Sequence, residues 1–184
     1  MEKTCPVWVG YLLLSPLRKM FQDPYKVLTP YVKKGMTVMD LGSAMGFFSL
    51  PLADLVGPEG KVVCVDVQEK MLAGLEKRAK KAGLNDRIET HLCSAESMNL
   101  NGLRGNIDFA LAFAMVHEVQ DSAKLFNEVY EGLRPGGTLL VVEPEGHVSE
   151  YDFAKTISVA EKSKFKFINR PTVAKSLGAY FVKM

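Results

Sequence analysis

The sequence predicts an α/β fold: a doubly wound, mostly parallel sheet with helices on both faces. Short apolar, β-branched runs alternate with stretches of helical spacing, and glycines or prolines mark the joins. Such alternation implies right-handed crossovers, which make consecutive strands parallel and cover both faces of the sheet. Two strand-like runs at the end have no helical pattern between them, which predicts a closing hairpin with one strand antiparallel to the rest. A chain of 184 residues has room for one sizeable core and not for two ordinary domains with a linker. Residues 1–34 are read as an N-terminal helical cap and 35–184 as the core.

Ser15-Pro16 and Asp23-Pro24 each pair a capping residue with a proline at the first helical position, so short helices are expected there. Thr37 to Leu41 is a buried strand bounded by Gly35 and Gly42, and a helix from Phe47 to Val56 ends at Gly57. The pattern repeats with the strand Lys61 to Val67 and the helix Glu69 to Ala82, which has Met71, Leu72, Leu75 and Ala79 on one face before Gly83. Arg87 to Cys93 and Ile107 to Phe113 are the next strands, joined by a polar connection over 94–106. Asp121 caps a helix carrying Leu125, Val129 and Leu133, which the turn Pro135-Gly136-Gly137 ends ahead of the strand Thr138 to Val142. Ser149 and Asp152 form a capping box for a helix with Phe153, Ile157 and Ala160 on one face. Phe165 to Asn169 and Ser176 to Lys183 make the hairpin.

Composition narrows the function classes. With 47% hydrophobic and 24% charged residues the chain is globular, and a net charge of +2 disfavours a broad nucleic-acid-binding surface. Cys5, Cys64 and Cys93 contain no CxxC pair, which argues against a disulfide framework and a structural zinc site and favours reducing cytoplasm. The apolar stretch Pro6 to Leu14 is too short to span a bilayer and no small-x-small cleavage site follows, so it is read as structure and no membrane association is expected. The basic run Lys77, Arg78, Lys80 and Lys81 is read as the solvated face of its helix.

Open α/β sheets bind ligands beyond the carboxyl ends of their strands. After the first strand stands Asp40-Leu41-Gly42-Ser43-Ala44-Met45-Gly46, whose minimal side chains let a ligand approach the backbone at the start of a helix. A nicotinamide fingerprint needs GxGxxG; here Gly42 and Gly46 are four apart and Phe47 fills the place of the third glycine. An acid two residues before the first glycine, as Asp40 is, suits adenosylmethionine, which carries no pyrophosphate. Asp66, ending the second strand, stands where an acid accepts hydrogen bonds from both ribose hydroxyls.

The segments VMDLGSAMGFFSLPLA (38–53), VVCVDVQEKML (62–72), CSAESM (93–98), DFALAFAMVHEV (108–119) and LRPGGTLLVVEP (133–144) together resemble the class I S-adenosylmethionine-dependent methyltransferases, in particular their small ubiquinone-biosynthesis-like and arsenite-methyltransferase-like branch. The resemblance implies a Rossmann-like core with strand order 3214576 and the last strand antiparallel. It also implies S-adenosylmethionine as cofactor and S-adenosylhomocysteine as product. By the same resemblance Asp40, Gly42, Ser43, Ala44 and Gly46 line the methionine end and Asp66 holds the ribose. Val67 and Met71 pack on the adenine, Ser94 and Ala95 edge it, and Ala112 and Phe113 present backbone to the amino acid moiety. Ala44 replaces the usual middle glycine, Ser94 stands where many members have aspartate, and AFAMVHEV departs from the NPPY motif of amino-methylating nucleic-acid enzymes.

The expected activity is methyl transfer to a small-molecule acceptor, with an RNA or protein acceptor and a non-catalytic adenosylmethionine-binding module as the alternatives. His117 and His147, after the fourth and fifth strands, are the candidates to take a proton from the acceptor. Glu143, His147 and His117 lack the tight spacing of a ligand set, so no metal is assigned. Trp8, Tyr11, Leu12, Leu13, Leu14 and Leu17 carry more apolar surface than a solvated tail tolerates, and are expected to roof the acceptor pocket.

Overall fold

The structure is a computed structural model, and it describes residues 22–184. The helix start at Ser15-Pro16 and the roofing segment lie outside the described residues. The chain falls into two compact units, Met1–Cys93 and Ser94–Met184. The strands form one seven-stranded sheet of order β3-β2-β1-β4-β5-β7-β6, the order that the resemblance implies.

In the first unit, α1 (Pro24–Leu28) starts as its sequence requires: the Asp23 carboxylate accepts a hydrogen bond from Tyr25 N at 3.0 Å and Pro24 takes the first turn. β1 (Thr37–Leu41) pairs in parallel with β2 (Lys61–Asp66), which pairs in parallel with β3 (Ile88–Leu92). β1 and β2 are buried almost without break, the mark of strands covered on both faces, whereas β3 has no buried residue and stands at the edge of the sheet. α2 (Ser49–Val56) packs on β1 and β2, and α3 (Glu69–Ala82) on β2 and β3. α3 buries the four predicted apolar residues. Left-handed Gly83 closes it in a Schellman pattern, with Leu84 N on Ala79 O and Gly83 N on Lys80 O. α2 begins at Ser49 and not at Phe47, because the chain from Gly42 to Phe48 is a series of turns.

In the second unit β4 (Ile107–Phe113) and β5 (Leu133–Pro144) are parallel, and β7 (Ser176–Lys183) runs antiparallel to both β5 and β6 (Phe165–Asn169). α4 (Ser122–Gly132) packs on β5, and α5 (Glu150–Lys162) on α4, β6 and β7. The connection over 94–106 contains a short 3₁₀ turn at Leu100–Leu103.

A second sequence expectation is corrected in β5. Pro135-Gly136-Gly137 does not end the helix: α4 stops at Gly132, Leu133 is the first residue of β5, and the three residues form a bulge within that strand. Ile107 pairs with Leu133 but Phe109 with Thr138, so the extra residues of β5 loop out between two paired positions. Gly136 takes the turn at φ 75°, and a Cβ on Gly137 would fall 2.8 Å from the carbonyl oxygen of Arg134 and 3.0 Å from that of Ile107. Gly137→Val is therefore expected to destabilise the protein by roughly 1–3 kcal/mol, read as a lower urea midpoint, because backbone on both sides cannot yield to a side chain. An unchanged midpoint would show that the bulge is soft.

Candidate cofactor and proton-transfer sites

The site in the first unit grows from the ends of β1 and β2. Gly42 turns the chain at φ 67°, and the N–H groups of Gly42 and Ser43 both donate to Val65 O, at 2.9 and 3.0 Å, tying the turn to the neighbouring strand. Ala44 then sits in the left-handed region at φ 46°, a conformation that costs a non-glycine residue about 1–2 kcal/mol. What holds it is Asp66, whose Oδ2 accepts from Ala44 N at 2.9 Å while its Oδ1 accepts from Gln68 N at 2.8 Å. The second carboxylate thereby braces the glycine turn and the entry to α3 together. Gly46 closes the turn at φ 81° against α3, where a Cβ would meet Leu75 Cγ at 3.0 Å.

Two supporting residues escaped the sequence reading. Ser49 Oγ donates to Asp40 Oδ2 at 2.5 Å, and Arg78 donates to the carbonyl oxygen of Met45. The run of basic residues on α3 is thus only partly a solvated face: Lys77, Lys80 and Lys81 are exposed, but Arg78 is half-buried and supports the turn. Its spacing gave no sign of this, since Lys77 and Arg78 adjoin in sequence and diverge by about 100° on the helix.

Burial sets the electrostatics. Asp40 is 3% exposed, and desolvation pushes its carboxyl up to about 7; the Ser49 hydrogen bond opposes the rise and the nearby Asp66 charge adds to it. Burial also raises Asp66, against the backbone donors from Gln68, Ala44 and Val67 that favour its charged form. Beside them Ser43 is 4% exposed, and its Oγ has no hydrogen-bond partner among the described residues. A buried hydroxyl without a partner costs roughly 1–3 kcal/mol, so this one calls for a ligand group to complete it. Two buried carboxylates, an orphan hydroxyl and a glycine turn form a donor set that fits a cofactor bearing an ammonium, a carboxylate and ribose hydroxyls.

Other predicted positions vary in what they offer. Val67 is 41% exposed and presents an apolar surface, whereas Met71 is 2% exposed and already packed in the core. The Ser94 hydroxyl is taken up within its own loop, accepting from Ser97 N at 3.1 Å and Glu96 N at 3.3 Å, and Ala95 beside it is exposed. Ala112 and Phe113 are buried at the end of β4, paired with Val141 and Val142.

The second unit brings His117 and His147 together at the carboxyl ends of β4 and β5. Beyond β4, Ala114 turns at φ 55° with its N–H on Val142 O at 2.7 Å, and the 3₁₀ turn Val116–Glu118 follows. There His117 Nδ1 lies 2.6 Å from Glu143 Oε2, and His117 N donates to Glu143 Oε1 at 3.2 Å. The His117 side chain is 24% exposed while Glu143 is buried at 1%. The Glu143 bond raises the imidazole's affinity for a proton, burial opposes it, and the charges of Glu143 and Glu118 add to the rise. His147 meets His117 edge to face, ring centres 5.7 Å apart. Cys64 is core: buried in β2, with burial and the neighbouring Asp40 holding its thiol above the usual range. Among the described residues no cluster of three or more metal-ligating side chains forms, and no helix is long and apolar enough to cross a membrane.

Comparison with known proteins gives the family. A family profile described as "Methyltransferase domain" matches residues 32–175. The ubiquinone/menaquinone biosynthesis C-methyltransferase UbiE of Escherichia coli is 31% identical over 112 residues, 61% of this chain, and the match spans less than half, 44%, of that relative's length. Among solved structures, a SAM-dependent methyltransferase from Aquifex aeolicus superposes with a TM-score of 0.89 at 25% identity, covering 98% of this chain and all of that one. The geranyl diphosphate C-methyltransferase of Streptomyces coelicolor, solved with S-adenosyl-L-homocysteine, shares the fold at TM-score 0.74 and 10% identity, over 88% of this chain and 77% of that one. The chain therefore belongs to the methyltransferase-domain family, and is a class I protein of the S-adenosylmethionine-dependent kind.

Proposed function

We propose that this protein transfers the methyl group of S-adenosylmethionine to a small-molecule acceptor. The observation that carries the reading is the buried Ser43 hydroxyl, without a hydrogen-bond partner among the described residues, beside two buried carboxylates and a glycine turn. Asp40, Gly42, Ser43, Ala44 and Gly46 hold the methionine end, with Asp40 as the anion for its ammonium group. A carboxylate has more acceptor sites than its backbone donors use, so Asp66 takes the ribose hydroxyls with those that remain. Val67 serves the adenine face while Met71 stays packed in the core, Ser94 and Ala95 serve the adenine edge, and the backbone of Ala112 and Phe113 the amino acid moiety. His117 and His147 serve the acceptor. The bound cofactor supplies an already activated methyl on a sulfonium, so these residues need only orient the reactants, exclude water and manage one proton.

A small-molecule acceptor is favoured by the relative's part in quinone biosynthesis and by the near-neutral charge of the chain. The test is calorimetry with S-adenosylmethionine, S-adenosylhomocysteine and NAD, followed by labelled methyl incorporation into the metabolite, protein and RNA fractions of a cell extract. Binding of the first two alone, with label in the metabolite fraction, is expected. Label only in protein or RNA would move the acceptor class, and binding with no transfer to any fraction would leave a non-catalytic module. Tight NAD binding without adenosylmethionine binding would overturn the reading.

A further inference from the structure

We propose that Glu143 is the positioning residue of a carboxylate–imidazole pair that holds His117 so that its Nε2 accepts the proton of a protic methyl acceptor, one whose reacting atom bears a hydrogen that must leave. The proposal rests on the methyl-transfer reading and extends it to the class of acceptor.

Glu143 ends the apolar run of β5 at 1% exposure, opposite Leu177 of β7. A carboxylate in that place is costly unless both oxygens are bonded. Both are bonded to one residue: Oε1 to the backbone N–H of His117 and Oε2 to its ring. The backbone bond fixes where the residue sits and the ring bond fixes how the imidazole is turned, so the pair clamps His117 at two points. Since an ionised carboxylate only accepts, Nδ1 carries the proton and Nε2 is left with the free lone pair. The left-handed turn at Ala114, strained for a non-glycine residue, delivers His117 to the clamp.

A turn needing only to be pinned would be served by a neutral amide, without a buried charge. The ring contact with Glu143 does more, since it makes the imidazole a better proton acceptor. The groups facing His117 are Glu143 from β5, Glu118 on its own turn and His147 from the loop after β5. Two anions surround the ring and stabilise an imidazolium once it forms.

In the transfer, Nε2 of neutral His117 takes the acceptor's proton. The electron pair of that X–H bond remains on the acceptor atom, which uses a pair to bond the methyl. The sulfur keeps the pair of the bond that breaks. One positive charge passes from sulfonium to imidazolium, and solvent then removes the proton. An acceptor with no proton to lose, such as a thioether, has no use for this pair.

The test uses the whole 184-residue chain labelled with ¹⁵N-histidine, as wild type, Glu143→Gln and Glu143→Asp. The ring nitrogens of His117 are followed by NMR from pH 5 to 9, alongside adenosylmethionine affinity and labelled methyl transfer to the metabolite fraction of a cell extract. In wild type the Nδ1–H tautomer, titration above the ordinary histidine range and transfer that rises with pH through that titration are expected. Glu143→Gln should lower the titration midpoint, mix the tautomers and cut transfer about 100-fold at unchanged cofactor affinity, and Glu143→Asp should restore part of each. If the Gln variant keeps wild-type tautomer and midpoint, or if wild-type transfer is flat across the titration, Glu143 only pins the turn and the proposal is overturned. If the NMR shifts appear as expected but wild type transfers methyl to nothing, the methyl-transfer reading fails and the acceptor class with it, while the positioning of His117 stands.

Discussion

Asp40→Asn is expected to make the protein more stable at pH 8 while weakening its hold on S-adenosylmethionine. In the unfolded chain this carboxyl titrates near 3.8, and in the folded protein at about 7. Its folded value is the higher one, so the protonated group contributes stability that is complete below about pH 4 and is lost as pH rises through about 7. A shift of that size corresponds to about 4 kcal/mol at 1.36 kcal/mol per unit. Asparagine keeps an acceptor for Ser49 and carries no charge, so urea unfolding should show a difference of only about 1 kcal/mol at pH 4.5 and a variant more stable by several kcal/mol at pH 8. The gain is bought with function: losing the anion proposed for the methionine ammonium should weaken cofactor binding about 10- to 150-fold, the range for a hydrogen bond to a charged group. Wild-type binding should also tighten from pH 6 to 8 as Asp40 ionises, and the variant should lose that dependence. Equal stability of the two proteins at pH 8 would mean that the carboxylate is better solvated than its burial implies.

Asp40 and Asp66 stood out in the sequence by position, the one two residues before the first glycine of the turn and the other at the end of the second strand, and the structure buries both. The parallel, doubly wound sheet was legible in the alternation of two distinct periods, whereas the strand order came only with the family resemblance. Ser49 and Arg78 were not, for a common reason: each acts through a residue distant in sequence, nine and 33 positions away, and neither type is unusual on a helix. The bulge in β5 was read as a helix-ending turn because Pro-Gly-Gly has the same local signature in both places. Only the pairing of Ile107 with Leu133 distinguishes them, and that pairing is a long-range fact. The bond between His117 and Glu143 was equally hidden. Sequence reasoning named His117 and His147 as proton acceptors and met Glu143 only in a ligand set that it set aside, because nothing local pairs residues 26 positions apart.

The second large effect is expected at Asp66. Asp66→Ala should weaken S-adenosylmethionine by roughly 1.5–3 kcal/mol, about 10- to 150-fold, through loss of charged acceptors for the ribose hydroxyls. The upper end is the expected one, because the same side chain holds Ala44 N and Gln68 N. Without it Ala44 has less to keep it at φ 46°, and the turn that carries Ser43 loosens before any ligand arrives. These two contributions separate experimentally. Asp66→Asn retains one carbonyl acceptor but donates with its other atom, so it should bind between wild type and the alanine variant. Adenosine, which has the ribose and lacks the methionine end, should lose affinity in Asp66→Ala but not in Asp40→Asn, while free methionine should lose most in Asp40→Asn and, in Asp66→Ala, only what the loosened turn costs it. Calorimetry with these two fragments assigns each carboxylate to one end of the cofactor. Adenosine binding that is indifferent to Asp66 in a folded variant would remove the ribose role and leave this residue as the brace of the glycine turn alone.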